Sequence, residues 1–316
     1  MSQMQNKMMR NILIRNILLR NILLMVVMMT LSSHVLAQTA APQELSYQEQ
    51  IERWRTERAN RLKAEDGWLS VAGLYWLKEG TNSIGTKATS DIVLPAGSAP
   101  ATVGEMTLRG GKVTLHVADG VIATAHGKSI TSLEMKSDRS GAPDRVVIQA
   151  LTLTVIERGT RIGLRLYDNN ARARKEFTGL KWFPIDPKYR VKATFVPYTS
   201  PKSVAITNVL GDTTETPIPG YVVFTLDGKE YRLEAQSEGS GLFINFRDST
   251  SAKTTYPAGR FLDAPKPENG VVVLDFNRAY NPPCAVTPFA TCPLAPRQNH
   301  LTVSIPAGEQ YSSHHQ

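Results

Sequence analysis

Residues 46–64 carry apolar positions with the period of a helix. Four apolar or aromatic side chains fall close to one helical face: Tyr47, Ile51, Trp54 and Leu62. Ser46 and Glu49 have the spacing of a capping box, in which the hydroxyl accepts from the Glu49 amide and the carboxylate accepts from the Ser46 amide. The pattern predicts one amphipathic helix over residues 46–64, ended by Asp66-Gly67.

After residue 67 the apolar positions recur with a period of 2 instead of 3.6. Val113, Leu115 and Val117 alternate with polar residues, and Asp119-Gly120 follows as a two-residue hairpin signal. Further strand-like segments, separated by turn residues, are 151–155, 162–166, 221–226, 229–233, 242–247, 271–276 and 301–305. Short strands between turn signals, with few helical windows, predict an all-β fold built from sandwiches or barrels.

A polar stretch at residues 168–173 interrupts the strand pattern and indicates a domain boundary. The expected organisation is a leader and amphipathic helix over 38–66, a β-sandwich over 67–168, a second packed sandwich or barrel unit over 169–312, and a disordered tail over 313–316. Hydrophobic content of 41% and charged content of 20% are typical of a chain with an ordinary buried core.

The first 37 residues have the three parts of a secretory signal. Basic residues precede the apolar run Ile22–Leu31, and Val35-Leu36-Ala37 supplies the small residues that signal peptidase reads. We expect cleavage after Ala37 and a periplasmic or secreted mature protein. An uncleaved membrane anchor is the alternative, but the uncharged run is shorter than the ~20 residues that a membrane span needs. We expect no membrane span after cleavage.

The charge of the chain changes once this signal is removed. The 316 residues have a net charge of +8, but residues 1–37 hold four basic residues and no acidic residue. The remaining chain therefore has a net charge of only +4. It has no long Lys/Arg run with interleaved aromatic residues, which argues against a nucleic-acid partner.

The two cysteines of the chain, Cys284 and Cys292, lie eight residues apart, and both remain after cleavage. In an exported protein this arrangement favours a disulfide. A metal site is a less favoured alternative, because Cys-x7-Cys is not a zinc spacing, and free thiols are a third. We expect neither a metal nor a cofactor.

A strand near the C-terminus runs into a group of polar residues: Asp275, Asn277, Arg278, Tyr280 and Asn281. Alternation places Asp275 and Asn277 on one face of the strand, with Arg278 and Tyr280 on the other. A carboxylate, an amide, a guanidinium and a phenol at a strand end are suited to line a polar pocket. The alternative is that Asp275 and Asn277 hold the Pro-rich loop that follows, since prolines donate no backbone hydrogen bonds.

Three arginines form a second group of candidate binding residues: Arg165, Arg174 and Arg260. Guanidinium groups such as those of Arg165 and Arg174 can clamp a carboxylate or a phosphate. The alternative is an ion-paired, solvated hairpin edge, which contributes little energy. Asp168 in the same cluster is, together with Asp275, a candidate general acid or base.

Two stretches of the first half resemble the forkhead-associated type of β-sandwich: Ser83-Ile84-Gly85 and Ser90–Pro95. In that family an Arg directly after the Gly helps to bind phosphothreonine, but this chain has Thr86 there. The family's Ser-Arg-x-His stretch is also replaced, by 99–104. The resemblance therefore implies the fold and not phosphopeptide binding, because the charged donors to the phosphate are missing.

Longer stretches resemble an uncharacterised bacterial family, the domain of unknown function 1684. These stretches are Gly67-Trp68-Leu69, Gly73–Leu77, Arg165–Tyr189, Gly259–Leu262, Asp275–Cys284 and Cys292-Pro293-Leu294. The resemblance extends over nearly the whole chain after the signal and implies no known activity.

The expected function is non-catalytic binding of a small polar or anionic ligand by an exported envelope protein. The polar residues at strand ends motivate this expectation. A hydrolase acting on glycans or esters through Asp168 or Asp275 is the first alternative, and a scaffold that contacts another envelope protein is the second. The sequence contains none of G-x-S-x-G, H-E-x-x-H, a P-loop or G-x-G-x-x-G.

Overall fold

The computed structural model describes residues 8–9, 15–16, 18–22, 25 and 45–311. The expected cleavage site after Ala37 and the expected tail over 313–316 lie outside the described residues. Within the described part of the chain, no helix has the length and apolarity needed to cross a membrane. The fold from Tyr47 onward is mostly β with several sheets, as the period of 2 predicts.

The long helix α1 spans Tyr47–Lys63, where the sequence predicts a helix over 46–64. Its buried face consists of Ile51, Arg55, Arg58 and Leu62, rather than the aromatic stripe that the sequence predicts. Two arginines lie on this face because the body of the protein supplies acceptors for them. Arg55 Nη2 donates to the Phe183 carbonyl at 2.9 Å, and Arg58 forms an ion pair with a buried glutamate described below.

Eleven strands between residues 71 and 168 form two sheets. They are β1 (Val71–Trp76), β2 (Gly80–Gly85), β3 (Ile92–Val93), β4 (Gly104–Arg109), β5 (Lys112–Val117), β6 (Thr124–Ala125), β7 (Lys128–Ser129), β8 (Ser132–Met135), β9 (Val146–Ile148), β10 (Leu151–Arg158) and β11 (Arg161–Asp168). One sheet has the order β1-β11-β10-β9-β6-β7 and the other the order β3-β2-β4-β5-β8. The β2–β3 pair is parallel, and the other pairs are antiparallel.

A single apolar core joins these two sheets. Met106 and Leu115 come from one sheet and Leu153, Leu164 and Leu166 from the other, and all five are fully buried. Strand β10 is unusual because residues on both of its faces are buried through most of its length. Its second face, away from this core, is therefore also covered.

A short helix, α2 (Arg172–Lys175), follows β11, and a second group of strands begins at residue 190. These strands are β12 (Arg190–Thr207), β13 (Thr213–Leu226), β14 (Lys229–Glu238), β15 (Gly241–Phe246), β16 (Arg260–Ala264) and β17 (Val271–Asp275). They form one antiparallel sheet of order β16-β15-β14-β13-β12-β17 that is nearly closed and barrel-like. Strands β1–β11 and β12–β17 lie in separate sheets, and residues from Tyr47 onward form one compact unit.

Turn chemistry sets the register of the β13–β14 hairpin. Leu226 pairs with Lys229, which leaves Asp227 and Gly228 as the two turn residues. Both have positive φ, 52° and 73° respectively, which a tight hairpin turn of this twist requires. Asp227-Gly228 is a two-residue hairpin signal and forms this turn. The Asp119-Gly120 signal does not form such a hairpin, because β5 pairs with β8 across a longer connection. The barrel interior that the β13–β14 hairpin encloses is filled by Val222, Phe224 and Leu233, among others.

Near the C-terminus the predicted strand 271–276 is confirmed to within one residue, but the alternation expected beyond it and the strand expected at 301–305 are wrong. Strand β17 ends at Asp275, and residues 276–278 form a 3-10 turn, so the alternation of faces does not continue through the polar group. Residues 301–305 are irregular rather than a strand. Leu301 and Ile305 are nevertheless buried, and their backbone amides donate to the Arg247 carbonyl and to a carboxylate instead of to a ladder.

Candidate functional site

A cleft of about 520 Å³ opens where α1, the end of β14 and the Pro-rich loop meet. Its lining residues are Arg58, Leu62, Trp68, Gln236, Ser237, Glu238, Phe243, Phe261, Tyr280, Asn281, Pro283 and Pro293. Its volume is within the ordinary range of small-molecule sites in proteins. Residues from distant parts of the sequence therefore converge on one concave surface.

Aromatic side chains form the apolar part of this cleft. The rings of Phe243 and Phe261 meet edge to face at a centroid distance of 4.8 Å, and Phe261 meets Tyr280 in the same way at 5.8 Å. Trp68 packs against the same cluster. Such edge-to-face pairs hold each ring in a fixed orientation, so the cleft has a rigid aromatic wall.

The polar part of the cleft belongs to the last residues of β14, where Gln236 lies directly beside Phe243 in the sheet. Gln236, Ser237 and Glu238 occupy these positions, and their backbones pair with β15. No described residue forms a hydrogen bond or an ion pair with these three side chains. Gln236 and Glu238 lie on the face of Phe243. Ser237, by contrast, lies on the other face with Leu242. An amide and a carboxylate are therefore free of other partners on the cleft face.

A second carboxylate lies beside Glu238. Tyr280 donates its hydroxyl to Asp263, with O–O distances of 3.2 and 3.1 Å to the two carboxylate oxygens. Burial raises the pKa of Asp263 above its ordinary value. Burial and the negative charge of Asp263 raise the pKa of Glu238, and burial also raises that of Tyr280. The rim of the cleft is therefore acidic.

The one arginine among the lining residues is already paired. Arg58 Nε lies 2.6 Å from Glu309 Oε2, and Nη2 donates to the Asn281 carbonyl at 2.9 Å. Its guanidinium also lies over the ring of Tyr280, 4.4 Å from the centroid. The positive charge of Arg58 is therefore neutralised by Glu309 and serves to join α1 to the C-terminal segment.

Of the residues predicted from the sequence, Tyr280 and Asn281 line this cleft. Asn281 Nδ2 donates to Glu309 Oε1 at 3.0 Å and to the Gln310 carbonyl at 2.9 Å, while its Oδ1 has no partner among the described residues. Tyr280 presents the edge of its ring together with Phe261. These two positions link the predicted polar group to the cleft.

The structure gives Asp275 and Asn277 local partners instead. Tyr47 donates its hydroxyl to Asp275 Oδ1 at 2.8 Å and accepts from Asn277 Nδ2 at 2.9 Å. Asn277 also pairs with both backbone groups of Asp186. Arg278 Nε lies 3.7 Å from Asp275. Tyr47 lies on α1 and Asp186 in the 186 turn, and neither belongs to the Pro-rich loop that the alternative names.

Arg260 is fully buried and lies inside the second sheet. Its Nη2 donates to Asp248 at 3.2 Å and to the Ile305 carbonyl at 3.0 Å, and its Nη1 donates to the Ala307 carbonyl. Burial lowers the pKa of Arg260, and the Asp248 carboxylate opposes that effect. The side chain therefore fastens the C-terminal segment to β16 and does not reach the cleft.

The other residues predicted from the sequence do not line the cleft. Arg174 Nε donates to the Lys63 carbonyl at 2.8 Å and Nη1 to the Asn169 carbonyl at 2.9 Å, so it joins α2 to the end of α1. Asp168 accepts from the Asn170 amide at 2.7 Å and caps that turn. Arg165 is buried without such partners. Neither Asp168 nor Asp275 is among the residues that line the cleft.

The predicted disulfide is confirmed. Cys284 and Cys292 are bonded, with a Cα–Cα distance of 6.3 Å. Each cysteine is next to a proline that lines the cleft, Pro283 or Pro293. The disulfide therefore fixes one wall of the cleft. Across the described residues, no group of three or more His, Cys, Asp and Glu side chains is placed to hold a metal ion.

The polar residues of β14 are functional candidates that the sequence pattern does not reveal. Gln236-Ser237-Glu238 precedes Gly239 at a strand end and has the composition of an ordinary exposed hairpin. Only the proximity of Glu238 to Asp263, 25 positions away, distinguishes it, and that proximity follows from the pairing of β14, β15 and β16.

Fold and cleft together define a mostly β protein with an aromatic-walled cleft. Residues 175–310 match the model of a family described as a protein of unknown function, DUF1684. This match supports the resemblance to that domain family for the part of the chain that includes β12–β17, the disulfide and most cleft residues.

Among solved structures, an uncharacterised protein of Haloarcula marismortui is 35% identical to this chain. The alignment covers 43% of this chain and 78% of that protein, with a TM-score of 0.37. No curated protein matches the chain.

Proposed function

We propose that the protein is exported to an oxidising compartment and binds a small polar ligand in the cleft without transforming it. The observation that carries the proposal is the pairing of an aromatic wall with two uncommitted polar side chains on the same strand face, Gln236 and Glu238. Sites of this composition bury the apolar face of a ligand and orient it with a few hydrogen bonds.

The charges around the cleft narrow the class of ligand. Arg58 is neutralised by Glu309, whereas Glu238 and Asp263 leave the rim acidic. An anionic ligand would therefore meet repulsion here. A neutral ligand with several hydroxyl groups, such as a sugar unit, suits the site best. Its hydroxyls match the amide and carboxylate groups, and its ring face matches Phe243 and Trp68.

A ligand panel tests this proposal on the mature, disulfide-bonded chain. Neutral sugars, amines and organic acids are compared by thermal shift, and positive results are measured by calorimetry. Gln236→Ala and Glu238→Gln should each weaken binding of the selected ligand at least tenfold, which corresponds to about 1.4 kcal/mol for each hydrogen-bonding group removed. Glu230→Gln, an exposed carboxylate on the same strand, is the matched control and should leave affinity unchanged.

Two results would count against the proposal. One is preferential binding of organic acids over neutral sugars, which the acidic rim disfavours. The other is a ligand whose affinity does not respond to either cleft variant, because its site would then lie elsewhere.

The disulfide supports the export part of the proposal. A bonded cysteine pair is typical of periplasmic and extracellular proteins and rare in reducing compartments. Intact mass of protein recovered from a periplasmic fraction should show a chain that begins at Gln38 and lacks two hydrogens relative to the reduced form. A chain that keeps its first 37 residues, or one with free thiols, would contradict export by a cleaved signal.

A hydrolase acting on glycans or esters is the second candidate function. The observation that favours it is the acidic pair at the rim, Glu238 and Asp263, each with a raised pKa. Carboxyl groups whose pKa values are raised by burial and by a neighbouring charge in a cleft are candidates for acid or base catalysis. In this case turnover should show a bell-shaped pH profile that Glu238→Gln or Asp263→Asn removes. Binding without turnover across glycoside and ester panels returns the cleft to the first candidate.

We also propose that residues 67–168 form a β-sandwich of the forkhead-associated type. The support for this relation is a sandwich of two sheets and the contact of Ser83 with Asp91, whose hydroxyl–carboxylate distance is 2.7 Å. These two residues flank the loop on which the resemblance rests. An experimental structure of this region, superposed on forkhead-associated sandwiches, tests the relation. A different strand order would overturn it.

A further inference from the structure

Arg165 is buried on the second face of β11 and forms no ion pair within the described residues. Tyr167 bonds to its side chain, and Asp138 lies close enough to act on its charge; both raise its pKa against the effect of burial. Only 6% of the surface of Arg165 is exposed, and its Nε and Nη2 have no hydrogen-bond partner in the part of the chain that the structure describes. Other buried arginines of the described chain, such as Arg58 and Arg260, are paired with a carboxylate. A buried charge outside an ion pair carries a large desolvation cost.

A second unpaired polar group faces Arg165 across the sheet. Thr154 on β10 is directly opposite Arg165 in the β10–β11 register, so the two side chains lie on the same face. Thr154 is 5% exposed, and its Oγ1 has no partner among the described residues. One guanidinium and one hydroxyl therefore offer unused donors within the same buried region.

An ion pair lies beside these two groups, because Arg158 and Asp138 both act on the charge of Arg165. Arg158 lies on the same strand face as Thr154, and its charge adds to burial in lowering the pKa of Arg165. Arg158 itself is satisfied, with Nη1 2.7 Å from Asp138 and Nε 2.9 Å from Thr291 of the cysteine loop. Trp68 covers the Arg165 guanidinium, whose central carbon lies 4.9 Å from the centroid of the Trp68 ring.

From these contacts we infer that Arg165 and Thr154 form a binding site for one small anion, enclosed between β10–β11 and Trp68. The ligand class is a halide or the carboxylate group of a small acid, because the donors present are one guanidinium edge and one hydroxyl. Arg165 keeps its charge at physiological pH, so the attraction persists over that range. The site is separate from the polar side of the cleft and does not rest on the proposed ligand.

Anion titrations on the mature chain test this inference. The melting temperature is measured while chloride replaces gluconate, an anion too large for an enclosed site, at constant sodium concentration. We expect the melting temperature to rise with the logarithm of the chloride concentration, as mass action requires for an anion that binds only the folded state. Arg165→Met should abolish that rise and Thr154→Val should reduce it. Arg174→Met, which removes an arginine already paired with carbonyls, should keep it.

Diffraction gives a readout that does not depend on the variants folding. Crystals of the native chain soaked in bromide should show an anomalous peak within hydrogen-bond distance of Arg165 Nη2 and Thr154 Oγ1. A parallel acetate titration separates the two sources. If the melting temperature rises with chloride alone, the bound anion is a halide. If it rises as steeply or more steeply with acetate, the bound group is a carboxylate. Water alone at that position, or the same chloride response in native protein and Arg165→Met, would overturn the inference.

Discussion

Arg260 should contribute to stability and not to ligand binding. Its side chain and that of Asp248 are 1% and 0% exposed, and no other ion pair of the described residues is buried so completely on both sides. Replacing Arg260 with Met keeps an apolar stem of similar length but leaves Asp248 without its cation. It also leaves the carbonyls of Ile305 and Ala307 without a donor.

Breaking a buried pair by removing one partner costs about 3–5 kcal/mol. For a domain of this size the melting temperature falls by about 2–4 °C for each kcal/mol. Arg260→Met should therefore lower the melting temperature by roughly 6–20 °C. Asp248 keeps two donors, the Thr250 hydroxyl at 2.8 Å and the Ile305 amide at 2.7 Å, so the loss should lie nearer the lower end.

Urea unfolding and calorimetry of Arg260→Met, Asp248→Asn and the double variant measure this effect. The double variant should lose less than the sum of the single losses, because the charge that Arg260→Met leaves unpaired is then absent. Arg53→Met, which breaks an exposed pair with Glu57, is the matched control and should change stability by less than about 1 kcal/mol. A loss below about 1 kcal/mol for Arg260→Met would refute this reasoning. Loss of ligand binding at unchanged stability would show that Arg260 acts in binding instead.

Three further predictions concern other contacts of the structure. Replacing Cys284 and Cys292 with Ser should lower the free energy of unfolding in urea by about 2–3 kcal/mol, because the disulfide closes a short loop. The replacement should also weaken ligand binding in the cleft. Unchanged stability would contradict the role of the disulfide. Tyr47→Phe should lower the free energy of unfolding by about 1–2 kcal/mol, because Asp275 and Asn277 both lose a hydrogen-bond partner. Equal melting temperatures of the variant and the native chain would contradict this. Because the pKa of Glu238 is raised, its ionised form destabilises the folded state. Glu238→Gln should therefore raise the free energy of unfolding by less than about 1 kcal/mol at pH 7 and leave it unchanged near pH 3. A difference that does not depend on pH would rule this out.

The parts of the fold that depend on local pattern were predictable from the sequence. Seven of the period-2 segments coincide with strands, and Asp227-Gly228 forms a hairpin turn, because both signals act between neighbours in the chain. The buried face of α1 was not predictable in this way. Arg55 and Arg58 have the residue type of a solvated face, and their acceptors are Phe183 and Glu309, 128 and 251 positions away.

The cleft was only partly predictable for the same reason. Tyr280 and Asn281 stood out because they follow a strand and precede a Pro-rich loop. Gln236 and Glu238 acquire their significance from the pairing of β14 with β15 and from the approach of Trp68, which no local pattern encodes. Chemistry that depends on several distant segments is visible only after those segments have been placed.

The fate of the predicted polar residues has a common physical cause. Residues 276–311 run mostly without a β-ladder, so their backbone groups need partners from side chains. Arg260 supplies donors to that segment, Asn277 pairs with the 186 turn, and Glu309 receives Arg58 and Asn281. Polar residues concentrated in an irregular, buried segment are therefore first expected to satisfy its backbone. By the same reasoning, the groups to examine for ligand binding are those that this segment leaves unused, which are the end of β14 in the cleft and Arg165 beneath Trp68.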